Sequence, residues 1–165
     1  MVAVLRFLHI VAGITWGGGA IMMNFVIGPA IGATGDVGRQ FAGHLMSKTP
    51  FTKLMTASGF LTVLAGGTLY GLDSNWFRSG WMMTGTGIGF GIGAVAGIIA
   101  LVFGAMIGST NGALAALGSQ IQGKPTDEQM ATLAMLRKRQ SFVTIGNTIC
   151  ILISIAFMAS ARFLG

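Results

Sequence analysis

The strongest constraint in this 165-residue sequence is the recurrence of apolar stretches long enough to cross a bilayer. About 30 Å of hydrocarbon requires roughly 20 helical residues. Four segments meet that requirement, at about 4–31, 51–72, 81–109 and 142–163. Backbone groups in hydrocarbon must be satisfied within their own segment, so such stretches fold as helices. The expected fold is therefore an all-α, integral membrane four-helix bundle forming a single domain. The composition agrees: 53% of residues are hydrophobic, 8% are charged, and the mean hydropathy is +0.76. These values exclude an ordinary soluble globule and a disordered chain. The first apolar stretch is too long for a secretory leader and lacks a clean small-residue cleavage site, so it reads as a span.

Charge sets the expected topology. Arg39, Lys48, Lys53, Lys124, Arg137, Lys138 and Arg139 lie in or beside the segments 32–50 and 110–141, leaving Arg6, Arg78 and Arg162 for the other side. The positive-inside rule then makes 32–50 and 110–141 cytoplasmic loops and places both termini on the outer side. The net charge of +6 is scattered between apolar segments and forms no basic stripe, so no nucleic-acid partner is expected. Gly38 to Met46 reads as a short interfacial helix. Pro125-Thr126-Asp127-Glu128 reads as a helix start leading through Arg137-Lys138-Arg139 into the last span. Thr49-Pro50 opens the second span.

Small residues dominate the packing signal. Gly85, Gly89, Gly93 and Gly97 recur every fourth residue and share one helical face, suited to close helix contact or to a flat ligand. Asn24 and Asn147 are placed to hydrogen-bond between the first and fourth spans. The single cysteine, Cys150, forms no internal disulfide.

Chemistry is sparse. No Asp or Glu falls within a span, which disfavours a proton-coupled transporter. With only His9 and His44 there is no hydrolytic constellation and no catalytic residue to assign. His9 is the sharpest residue. It follows Arg6 by one turn and shares a face with Gly13, Trp16 and Gly17. Imidazole is a good axial ligand of haem iron, and Arg6 is placed to pair with a propionate. The competing reading is an interfacial histidine beside a snorkelling arginine. His44 lies about 35 Å away along the first span, so the two histidines cannot ligate one metal. A partner at His9's depth would be Met82, Met83 or Met158, all of which also suit Cu(I), or His9 of a second protomer. Trp76 and Trp81 read as interfacial aromatics.

The run Leu8-His9-Ile-Val-Ala-Gly-Ile-Thr-Trp16-Gly17-Gly18 resembles the first helix of the CopD-like membrane proteins and of the HemJ-type protoporphyrinogen oxidases. The likeness continues loosely through Pro50–Gly71, Pro125–Arg139 and Met158–Arg162. It implies a four-helix bundle in a bacterial inner membrane with a b-type haem or copper site near His9. The third-helix lysine of the HemJ-type enzymes has no counterpart in 81–109, so their oxidase activity is not carried over. The expectation is haem b held by His9 with Arg6, Gly13, Trp16 and Gly17 around it, serving electron transfer or an accessory role. The chain would be a homo-oligomer or a subunit of a larger membrane complex. The alternative is a non-catalytic structural subunit or a Cu(I)-handling protein using His9, Met82, Met83 and Met158.

Overall fold

The computed structural model describes residues 1–165 and is all-helical, without strands. Helix α1 (Val2–Met22) passes through a π-turn (Met23–Ile27) into α2 (Gly28–Ala33), giving one rod of 32 residues. A sharp elbow at Gly35, whose φ of +58° suits glycine, starts α3 (Gly35–Lys48). Helix α4 (Phe51–Asp73) follows Thr49-Pro50, where the Thr49 hydroxyl accepts from the Phe51 N–H at 3.2 Å. Helix α5 (Gly85–Gln120) starts where the Thr84 side chain accepts from the Gly87 N–H. Helix α6 (Asp127–Ser160) begins with a complete capping box between Thr126 and Gln129, with Asp127 and Glu128 favourably placed in its first turn.

Four of these helical segments are long and apolar enough to cross a membrane: Val2–Ala33, Phe51–Asp73, Gly85–Gln120 and Asp127–Phe163. Their bounds differ from the apolar stretches in an instructive way. Trp81–Met83 belong to a short 3₁₀ turn (Gly80–Met83), because the Thr84 cap places the helix start at Gly85. At the other end α5 runs on to Gln120. Ser109-Thr110-Asn111-Gly112 interrupt the apolar run, but Ala113 to Leu117 are again apolar and good helix formers, so the helix continues through the interruption. Most of segment 110–141 is therefore a helical hairpin, and only residues 121–126 lie between its two arms.

The most extensive packing is between α5 and α6 and between α1 and α4; α4 against α5 and α1 against α6 close the ring. Successive spans are antiparallel, so Met1 and Gly165 lie at the same end. The interior is built from small residues. The central cluster is Trp16, Ala20, Ala100 and Ile151, and the largest fully buried side chains are Val143, Thr110 and Ser74. Large apolar groups such as Phe7, Ile14, Leu64, Val95 and Ile155 instead face outward. That inversion of the soluble pattern suits a solvent as apolar as the core.

The α5 glycines fill one role. A Cβ on Gly85 would collide with the Leu164 backbone and on Gly89 with Ala161 and Leu164, and on Gly93 it would press tightly on Met158. Gly97 faces Ser154, whose hydroxyl donates to the Gly93 carbonyl at 2.9 Å. The ladder is thus occupied by α6 rather than open to a flat ligand. The two asparagines divide their work. The Asn24 amide donates to Thr148, joining the first and fourth spans, whereas Asn147 donates to the Ala100 carbonyl on α5 at 2.7 Å.

Candidate functional site around His9

His9 lies on the seam between α1 and α4, where aromatic rings of α1 meet small residues of α4. Its ring sits directly on Gly66: a Cβ there would lie 2.7 Å from the His9 Cε1 atom and 2.9 Å from Nδ1. Two turns further along, the Trp16 ring covers Gly59 in the same way, at 3.2–3.3 Å. Between them, Gly13 receives the Thr62 side chain. The i, i+4, i+7 spacing of His9, Gly13 and Trp16 therefore meshes with Gly66, Thr62 and Gly59. Gly66, which accepts the His9 ring, is not among the residues the sequence singles out. The usable signal was the repeat Gly59-x₂-Thr62-x₃-Gly66, the complement of the α1 spacing.

One hydrogen bond fixes the imidazole. His9 Nδ1 is 2.8 Å from the Thr62 carbonyl oxygen. A carbonyl only accepts, so Nδ1 carries the proton and donates it. In the neutral ring Nε2 is then left with a free lone pair. No side chain of the protein bonds to Nε2, and it is not among the fully enclosed polar atoms. This is the arrangement by which proteins orient a ligating histidine: one nitrogen is tied to backbone carbonyl, and the other is left without a protein partner. The donor set thus fits an axial haem ligand at this position.

The remaining candidates are spread more widely. Arg6 is exposed and has no carboxylate partner, since the only ion pair is Asp36–Arg39 on α3. Gly13 and Gly17 are both taken up by neighbouring side chains, Thr62 for the first and Ile151 with Ile155 for the second. Trp16 belongs to the buried central cluster. Met82 and Met83 lie in the 3₁₀ turn before α5, with Met83 80% exposed. Met158 packs on Gly93, on the α5/α6 seam. No three His, Cys, Asp or Glu residues come together. His44 is exposed on α3, and Cys150 is a free thiol beside the central cluster.

Depth along the bundle separates the methionines. Tyr70 of α4 reaches Gly87 and Gly91 of α5, donating to the Gly87 carbonyl at 3.3 Å, and Gly59 lies against Leu101. Antiparallel helices advance at the same rise per residue, so the level of Gly66 on α5 falls near Gly93. Met158, which contacts Gly93, therefore lies at about the depth of His9 but on the opposite seam. Met82 and Met83 lie nearer the helix ends, where Trp81 stacks among Tyr70 and Phe90.

The fold and site define a class: an all-helical bundle with four potential membrane spans and one backbone-anchored imidazole. No protein-family model matches the chain, and neither a curated protein nor a solved structure matches it.

Proposed function

We propose that this is a multi-pass membrane protein of the bacterial inner membrane, with both termini outside, that binds haem b near its outer face through His9. The observation that carries the reading is the His9 imidazole, tied at Nδ1 to the Thr62 carbonyl with Nε2 free. Bound haem would supply one-electron chemistry, and the protein would serve electron transfer or act as an accessory subunit without independent catalysis. His9 would be the axial ligand, and the unpaired guanidinium of Arg6, one turn towards the helix end, would meet a propionate. Among the sulfur donors Met158 shares the depth of His9 but packs on Gly93 on the opposite seam, so it does not face the His9 ring. Met82 and Met83 are less well placed. The resemblance of Leu8–Gly18 to the CopD-like and HemJ-type first helix points the same way.

A purely structural subunit is the second reading, favoured by the close filling of Gly13 and Gly17 by neighbouring side chains. Haem titration of the purified protein, with metal analysis of the same sample, separates the readings. A stoichiometric Soret band that vanishes in His9→Ala supports haem ligation. Equal binding by wild type and His9→Ala contradicts it. No haem together with stoichiometric copper favours Cu(I) handling, and neither cofactor favours the structural subunit.

A further inference from the structure

The turn joining α4 to α5 lies at the end of the bundle that carries Met1 and Gly165, and its backbone is unusual. Asn75, Trp76 and Phe77 have φ of +50°, +55° and +67°, the only non-glycine residues in the left-handed region. Side chains disfavour that region, and two bulky aromatics in succession make the conformation costly. It persists because Ser74 over-determines it. Ser74 is fully buried, and its carbonyl accepts from the Arg78 and Ser79 N–H groups, each at 3.1 Å. Its hydroxyl accepts from the Phe77 N–H at 3.1 Å and donates to the Gly71 carbonyl at 3.2 Å. The Trp76 N–H donates to the same Gly71 carbonyl at 2.6 Å, closing the turn.

The strained backbone fixes where one ring lies. Trp76 folds back along the last turn of α4 instead of projecting past its end. Its six-membered ring rests on Gly71, where a Cβ would lie 3.0 Å from two of the ring carbons. The indole N–H belongs to the five-membered ring, away from that contact; it makes no hydrogen bond within the chain and is not enclosed. Trp76 is 58% exposed and Phe77 63%. Trp81, which reads like Trp76 in the sequence, instead packs between Tyr70 and Phe90.

The surroundings of the ring name its occupant. Phe60, Leu64, Gly67 and Gly71 fall at i, i+4, i+7 and i+11, so they share one flank of α4. Phe60 and Leu64 are exposed there, and nothing lies within 4 Å of a Cβ on Gly67. Trp76 extends this flank to the helix end, so whatever surrounds Phe60 and Leu64 reaches it as well. Depth gives the second criterion. The 23 residues of α4 span about 35 Å, slightly more than the roughly 30 Å of hydrocarbon, which puts its last turn at the boundary. Chemistry gives the third. An apolar ring with a free donor, beside exposed Asp73, Asn75 and Arg78, suits the zone where acyl chains give way to ester and phosphate oxygens.

We propose that the 74–77 turn is a built anchor for the bilayer interface: Ser74 holds the left-handed backbone, and Trp76 inserts beside the phospholipid esters, donating its indole N–H to a lipid oxygen. A protein partner fits less well, because the flank it would share with Trp76 is the one that Phe60 and Leu64 present to lipid. The proposal does not involve His9 and rests only on the chain spanning a bilayer.

The test uses the full chain carrying fluorinated tryptophan in phosphatidylcholine nanodiscs. The Trp76 ¹⁹F resonance is assigned by its loss in Trp76→Phe. Trace phospholipids carry a nitroxide either near the glycerol or at the acyl-chain terminus. The glycerol-end label should broaden Trp76 about tenfold or more over the terminal label, because half of the ~30 Å core separates them and relaxation falls with the sixth power of distance. Ser74→Ala removes the acceptor of the Phe77 N–H, so the Trp76 resonance should lose most of that contrast while the Trp16 resonance of the central cluster stays in place. Stronger broadening by the terminal label overturns the proposal. So does a Trp76 resonance that answers only to a water-soluble gadolinium chelate while Trp81 answers to the lipid labels, which would leave the turn free for a soluble partner. Full contrast retained in Ser74→Ala overturns the role of Ser74. If no tryptophan resonance responds to either lipid label, the bilayer reading fails instead.

Discussion

The α5/α6 seam and the α1/α4 seam both depend on small residues, but for opposite purposes. On α5 the glycines at 85, 89, 93 and 97 bring two backbones together, with Leu164, Ala161, Met158 and Ser154 stacked against them in step. On α4 the glycines at 59 and 66 receive rings, Trp16 and His9, which occupy the space a Cβ would otherwise take. Close contact maximises dispersion where no hydrophobic driving force operates between helices in lipid. Ring-on-glycine contact seats a ring against backbone and, at His9, is accompanied by the hydrogen bond that fixes its orientation. A bundle made only of the first kind would be a scaffold. The second kind is where a ligand donor can be presented.

Substitutions should discriminate the two seams, beginning with the largest effect. Gly89→Leu adds a side chain whose Cβ alone would lie 2.9 Å from Ala161 and 3.1 Å from its Cα, and backbone cannot swing aside. We expect about 3 kcal/mol or more of destabilisation in detergent unfolding titrations; a near-neutral result would break the ladder description. Asn147→Leu removes the donor to Ala100 and forces a branched group into a buried position, which should cost about 1–2 kcal/mol by the same titration.

Gly66→Ala should behave differently from Gly89→Leu, because the atoms it meets belong to a side chain that can rotate. The stability loss should be about 1 kcal/mol. Haem affinity should nevertheless fall about tenfold or more, since the imidazole leaves the Thr62 carbonyl. Thermal denaturation alongside haem titration checks both. Thr62→Val provides the matching control: the acceptor is backbone, so haem affinity should be unchanged and stability should move by less than about 1 kcal/mol. The smallest effect is expected for Asp36→Asn, which breaks a pair whose side chains are 83% and 70% exposed; the change should stay within about 0.5 kcal/mol.

Helix existence could be read from the sequence because apolar length, the Thr49-Pro50 start and the Thr126-x-x-Gln129 box are local signals. Helix extent could not. The helix runs through the polar Ser109–Gly112 stretch into the helix-forming residues 113–117, and the Thr84 cap overrides the apolar residues before it. The π-turn does have a local mark in Pro29, which has no N–H for the Phe25 carbonyl and crowds it, so the ladder widens to the Gly28–Met23 bond just before it. At the site, His9 could be singled out because an ionisable group in a span is uncommon. What holds it could not, since the acceptor is a main-chain carbonyl and Gly66 is one of 27 glycines. Gly13 and Gly17 read as space for a ligand edge, yet Thr62 and Ile155 occupy those positions once α4 and α6 pack.

The central claim is that His9 is pinned as an Nδ1–H donor with Nε2 bare and available. ¹⁵N NMR of histidine-labelled protein in detergent at alkaline pH tests it most directly, with His44→Gln to leave a single imidazole. The account predicts a protonated Nδ1 and an unprotonated Nε2 for His9, with the Nε2 resonance alone shifted strongly when haem is added. A protonated Nε2 with a bare Nδ1, or an Nε2 resonance indifferent to haem, would contradict it.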